Sequence, residues 1–189
     1  MDVLERMALA VERVQERLHR ATAALEAAGL QYAVIGGNAV AAWVSRIDPG
    51  LARNTVDVDV MINRAELGAV KKALENASFV YHEVFGVSMF LDGPDGRPSE
   101  AVHILFANEK VRSDYLATAP SLSETEQEKT FRVLALGPLV QMKLTSYRRK
   151  DQVHVQDLIK AGLIDGTWLH RFPSELAARL QELLDDPDG

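Results

Sequence analysis

Asp57 and Asp59 are separated by one residue inside the apolar run Val56–Val60. Alternate residues of a strand face the same way, so the two carboxylates project side by side, and Val56, Val58 and Val60 are expected to turn into a core. Like charges this close repel unless a cation lies between them. Their chemistry suits a hard, oxygen-seeking ion such as Mg²⁺. One helix upstream, the strand-like run Tyr32–Ile35 ends in Gly36 and Gly37, followed by Asn38. Glycines there let the next helix bring free N–H groups against an anion such as a phosphate. Taken singly, the glycines also read as a plain strand-to-helix turn, and the acids as the exposed face of an edge strand. Together they point to a metal beside a phosphate.

The elements that must hold these residues follow from periodicity. Leu4, Met7, Val11, Val14, Leu18, Ala21 and Leu25 alternate steps of three and four, which predicts one amphipathic helix from residue 2 to about 28, stopped by Gly29. A strand is expected at 31–35, a helix at 38–45, a turn at Asp48–Gly50 and a strand at 56–62. Asn63 is expected to cap a helix over 64–76. Strands are predicted at 79–84 and 87–91, a hairpin around Gly86, and again at 101–106 and 131–135. Residues 107–129 are polar and poorly periodic, with 121–128 expected to be exposed. Helices follow at 139–150, 152–161 and 173–184, and the last four residues are expected to fray. Strands mixed with helices, then helices alone, predict an α+β fold. Its parts are an N-terminal helix (1–29), a sheet domain (30–135) and a C-terminal helical segment (136–185).

Bulk properties narrow the function class. The chain has 189 residues, 47% of them hydrophobic and 25% charged, an ordinary globular composition for one domain. No run is long and apolar enough to span a bilayer, and the N-terminus does not read as a signal peptide. With no cysteine, thiolate metal sites, disulfides and cysteine nucleophiles are excluded, which fits a cytoplasmic protein. A net charge of −6 argues against a general nucleic-acid coat. His19, His82, His154 and His170 have no metal-ligand spacing with one another. Trp43 and Trp168 read as core anchors.

The double glycine after an apolar strand, with Arg53, Asn54 and Thr55 leading into Asp57-Val58-Asp59, resembles the signature of the minimal nucleotidyltransferases of the polymerase-beta-like superfamily. The bacterial group related to toxins of abortive-infection and toxin–antitoxin systems is the nearest in flavour. The resemblance covers residues 30–62 specifically and 136–160 more loosely. It implies a mixed β-sheet flanked by helices. Gly36, Gly37 and Asn38 would stand at the nucleoside triphosphate, Asp57 and Asp59 would hold Mg²⁺ (or Mn²⁺), and Arg53 and Thr55 occupy positions that recur in the group. Lys143 matches the family's phosphate-contacting lysine. Arg148, Arg149 and Lys150 form the one dense basic cluster, read either as a seat for triphosphate or RNA backbone or as a solvated helix C-terminus.

The chain departs from the family's pattern at one position. A third acid is expected on the strand at 101–106, and His103 stands there. An imidazole can take a proton near neutral pH but is a poorer Mg²⁺ ligand than a carboxylate. Glu100, three positions away, faces the other side of a strand. Two functions are therefore expected. One is Mg-dependent transfer of a nucleotide to a hydroxyl of an RNA, protein or small-molecule acceptor, with Asp57, Asp59 and His103 catalytic. The other is a nucleotide-binding or interaction module with weak or no catalysis, which could form half of a toxin–antitoxin pair. A homo-oligomer or a cognate antitoxin are the protein partners the resemblance leaves open.

Overall fold

The computed structural model describes residues 1–186; of the four residues expected to fray, 187–189 lie outside them. Its centre is a seven-stranded mixed sheet. The elements run α1 (Val3–Ala27), β1 (Tyr32–Ile35), α2 (Gly36–Ser45), β2 (Val58–Ile62), α3 (Leu67–Asn76), β3 (Phe79–Val84), β4 (Val87–Asp92), β5 (Val102–Phe106), β6 (Thr125–Gln127), β7 (Arg132–Leu134), α4 (Leu136–Ser146), α5 (Arg149–Lys160) and α6 (Ser174–Asp185). The strand order is β3-β4-β5-β2-β1-β7-β6. β2 is antiparallel to β1 and parallel to β5, and β1 is parallel to β7.

The sheet divides the interior in two because strand side chains alternate. Val34, Val58, Val60, Ile62, Val102 and Ile104 face α1 and α3, where Val14, Leu18, Ala21, Leu25, Val70 and Leu74 complete one core. Ala33, Ile35 and Met61 face the other way, toward α2, α4, α5 and α6, and join a second core with Trp43, Leu139, Leu144, Leu158 and Leu180. Asp59 lies between Val58 and Val60, so it emerges on the α2/α4/α5 side. Trp43 anchors that core through Nε1 donating to the Leu134 carbonyl at 3.0 Å. Trp168 packs at its edge.

Several local expectations are corrected. Val56 is 62% exposed rather than in the core. Pairing with β5 begins only at Val58, opposite Val102, so Val56 and Asp57 form a bend before the strand. The helix after β1 opens at Gly36 itself, not at Asn38. Asn63 does not cap a helix backbone: its amide donates to Glu66, and a single 3-10 turn precedes α3. The polar stretch 107–129 contains β6, a short edge strand whose backbone pairing with β7 needs no apolar pattern. The apolar stripe of α1 is buried only from Val14 onward, while Leu4 and Met7 are exposed. The helix predicted over 139–150 breaks at Tyr147, which takes a left-handed conformation (φ 46°), so Arg148–Lys150 open α5 instead of closing α4.

Tyr32 ties α1 to two central strands. Its hydroxyl donates to Glu26 at 3.0 Å and accepts the Arg132 backbone N–H at 3.1 Å. Burial pushes the phenol up to about 12, so it stays protonated and can serve both partners. Tyr32→Phe strands that N–H and is expected to lower the unfolding free energy by about 1–3 kcal/mol, read as a shifted urea midpoint at constant m.

Candidate active site

The C-terminal end of β1 and the N-terminal ends of β2 and β5 meet at one point of the sheet. In the β1–β2–β5 register Ile35 pairs with Asp59, and Asp59 with His103. This places Asp59 and His103 on neighbouring strands with side chains on the same face. Asp57, in the bend, joins them. One ligand atom from each of Asp57, Asp59 and His103 lies within 4.8 Å of the others. Asp59 Oδ1 is 3.7 Å from His103 Nδ1, and His103 Nε2 lies 3.1 Å from the Pro98 carbonyl. Glu100 points away, toward Arg17 on the opposite side of the sheet.

The glycines and their neighbours shape this cluster. Gly36 has φ +69°, and a Cβ there would lie 2.0 Å from Asp59 Oδ2. Only a residue without a side chain lets the carboxylate lie over the start of α2. A Cβ on Gly37 would press on Thr55 at 3.1 Å. Thr55 Oγ1 in turn donates to Asp57 Oδ1 at 2.6 Å, and Asn38 Nδ2 donates to the Asp57 carbonyl at 2.8 Å. Arg53 is turned elsewhere. Its Nε donates to Asp157 on α5 at 2.7 and 2.9 Å, tying the loop to that helix, and it is absent from the cavity lining.

The cluster opens into a cavity of about 660 Å³, a volume in the usual range for small-molecule sites. Gly36, Gly37, Thr55, Asp57, Asp59, His103, Lys143, Arg148 and Lys150 all line it. Arg149 and Asn38 do not. Thr145, His154 and Tyr115 also face it, and none of these was singled out from the sequence as a site residue; nothing in residue type or spacing marks them. Burial and the nearby Lys143 bring the His154 imidazole down to about 4, so it is neutral at neutral pH.

Lys143 reaches the cavity from a buried position. Its Nζ donates to Asp151 at 3.2 Å. Asp151 is 1% exposed and also accepts from the Ser146 hydroxyl and from the backbone and guanidinium of Arg148. Burial opposes the Asp151 charge, but Arg148, Lys143 and Ser146 outweigh it and bring its carboxyl down to about 2. Asp151 is the residue the sequence reading left without a role. The signal was available, since a tight turn between two helices folds the start of α5 back on the end of α4. Burial lowers the Lys143 ammonium below its ordinary value, only partly offset by Asp151 and Asp59.

The charges of the cluster are coupled. Burial disfavours the Asp59 carboxylate, yet His103, Lys143 and Lys150 together hold it below the usual carboxylate range. Polar contact with Asp59 raises His103 above the ordinary imidazole value against the opposing effect of burial, and Asp57 adds to the rise. A proton on His103 thus does what a bound cation would do. Two carboxylates, an imidazole and a glycine cradle that keeps their space clear fit a divalent ion. Asp57 and Asp59 supply hard oxygen ligands, and His103 supplies a nitrogen more at home with Mn²⁺ than with Mg²⁺.

No protein-family model matches the sequence, and the search of curated proteins gives no match. Solved structures do match. A nucleotidyltransferase-like antigenic protein of Paracoccidioides brasiliensis superimposes with a TM-score of 0.58 at 16% identity, over 94% of this chain and 90% of that one. A proposed nucleotidyltransferase of H. pylori gives 0.52 at 17% identity, over 94% and 78%. The antibiotic-resistance factor ANT(2'')-Ia gives 0.54 at 11% identity, over 89% of each chain. At these identities the likeness is one of fold: the chain has the nucleotidyltransferase fold.

Two outcomes are expected. Gly36→Ala remains folded, with the left-handed backbone costing about 1–2 kcal/mol, but displaces Asp59 and weakens Mn²⁺ binding at least several-fold in a titration. Because His103 is raised in the folded state, its stabilisation is complete below the unfolded value of about 6.5. It is lost as pH rises through the folded value. Metal-free melting temperatures should therefore fall across that interval in the wild type and not in His103→Asn, as followed by circular dichroism.

Proposed function

We propose that the protein is a metal-dependent nucleotidyltransferase, moving a nucleotide from a nucleoside triphosphate to an acceptor hydroxyl. The observation that carries this reading is the joining of Asp57, Asp59 and His103 with Gly36, Gly37 and Lys143 around one cavity. Gly36 and Gly37 bring the start of α2 against the triphosphate, where unpaired N–H groups favour an anion. Lys143, with Arg148 and Lys150 beside it, contacts the phosphates. Asp151 is a positioning residue, holding Lys143 and Arg148 at the cavity wall.

Asp57 and Asp59 are the residues that would hold Mg²⁺ or Mn²⁺. Such an ion neutralises phosphate charge and stabilises the transferring group. The acceptor oxygen attacks the α-phosphorus, the bond from the α-phosphorus to its bridging oxygen breaks, and pyrophosphate leaves. The hydroxyl proton passes to His103 Nδ1, the nitrogen left free to accept it when Nε2–H donates to the Pro98 carbonyl. Thr55 and Asn38 fix Asp57, and Arg53 braces the same loop against α5.

A second reading is a nucleotide-binding module without turnover, favoured by His103 in place of a third acid. The resemblance to toxins of abortive-infection and toxin–antitoxin systems makes a cognate antitoxin one candidate partner. Among the described residues no helix is long and apolar enough to cross a membrane.

Labelled triphosphates distinguish the readings. With Mg²⁺ or Mn²⁺, one of the four triphosphates at a hundred times its dissociation constant should stabilise the protein by about 2.7 kcal/mol, and Asp57→Asn should abolish that shift. Incorporation of label into total RNA, protein or small molecules then marks the enzyme. His103→Asp is expected to raise Mg²⁺-supported incorporation and move its pH dependence into the carboxylate range. Binding without incorporation, in wild type and His103→Asp alike, would leave the module.

A further inference from the structure

Arg17 lies on α1, on the far side of the sheet from the cavity, and its side chain is 3% exposed. A buried guanidinium needs partners, and it finds hydrogen bonds on two separate segments and a longer ion pair on a third. Nε donates to Asp92 Oδ2 at the end of β4, at 3.1 Å. Nη1 donates to the Val56 carbonyl at 3.2 Å. Nη2 lies 3.8 Å from Glu100 Oε2.

Two of those segments carry the metal site. Val56 is the residue before Asp57, and its carbonyl belongs to the peptide that leads into the bend. Glu100 closes the 3-10 turn Pro98–Glu100, and the carbonyl of Pro98 meets the His103 ring. The two segments are also stitched directly, by Val58 N donating to the Ala101 carbonyl at 3.2 Å. We propose that Arg17 is a positioning residue for the divalent-metal site, setting the spacing between Asp57 and His103 from behind the sheet. The inference rests on the metal reading above. It gives α1 a part in the chemistry although no residue of α1 lines the cavity.

Arg20 supplies the internal comparison. It sits one turn further along the same helix, pairs with the same Asp92 and with Glu16, and stacks over the Phe79 ring at 4.5 Å. No hydrogen bond or ion pair among the described residues links it to Val56 or Glu100. An anchor that merely fastens α1 to the sheet would cost stability when either arginine is replaced and leave the metal site untouched. A positioning role makes Arg17 alone matter to the metal.

The experiment compares wild type, Arg17→Met and Arg20→Met in three measurements. These are Mn²⁺ binding by electron paramagnetic resonance, amide hydrogen exchange of the metal-free proteins, and melting temperature. Both variants are expected to melt earlier. Arg17→Met should weaken Mn²⁺ binding by about 10–100-fold, the usual range for loss of an outer-shell partner, and speed exchange across 56–58 and 101–103. Arg20→Met should leave both near wild type. If Arg17→Met does not fold, Arg17→Lys, which keeps the charge but not the fork, carries the same comparison. Loss of stability with unchanged Mn²⁺ affinity and unchanged exchange in those segments overturns the proposal. A wild type that binds no Mn²⁺ overturns the metal reading instead, and the exchange data then decide the positioning claim alone.

Discussion

Asp57 and Asp59 offer carboxylate oxygens within 4.8 Å of each other and of a His103 nitrogen, and much of the surrounding architecture answers their repulsion. The glycine at 36 removes the atom that would push Asp59 aside. Thr55 takes up one oxygen of Asp57, and Asn38 fixes its backbone. Lys143 and Lys150 lend positive charge from α4 and α5. A like-charge pair that costs stability in an empty site is a store of affinity for whatever cation enters it.

The second layer of the site explains why the helices after the sheet are needed. Lys143 is buried, and a lone buried ammonium would shed its proton. Asp151 opposes this, and is itself kept ionised by Arg148, Ser146 and Lys143. The left-handed break at Tyr147 makes that arrangement possible by folding α5 back on α4 so that residues eight apart can meet. The basic cluster thereby opens a helix next to the cavity, against the preference of a helix N-terminus for negative charge. Asp151 at the third helical position offsets that cost by accepting the Arg148 backbone N–H.

Much of this was legible in the sequence, and the reasons differ by element. Period-two alternation placed Val58, Val60, Asp59 and the strand of His103 correctly, because burial on one face enforces register. The three–four spacing gave α1 its length but not the exposure of Leu4 and Met7, since periodicity says which face is apolar and not what covers it. The Val56 error arose because an apolar residue continued the pattern one step past the last paired position. β6 escaped because a short edge strand held by backbone pairing and by an ion pair from Arg46 to Glu126 needs no apolar alternation. Asp151 has only near neighbours in the chain, and its role follows once the helix break is placed at Tyr147 and not at Asp151 itself. Arg17 was beyond reach of motif reasoning, because its hydrogen-bond partners are 39 and 75 residues away and it has no distinctive local spacing. Arg53 shows the converse, a residue in a recognisable position whose side chain braces the loop against α5 instead of lining the cavity.

The central claim is that one divalent ion, held by Asp57 and Asp59 with His103 beside it, brings a nucleoside triphosphate to the start of α2. Anomalous scattering from crystals soaked with Mn²⁺ and a non-hydrolysable triphosphate analogue tests it directly. The account predicts a manganese peak within coordination distance of both carboxylates, with phosphate density against Gly36, Gly37 and Lys143. A peak elsewhere, or phosphate density away from those residues, would contradict it.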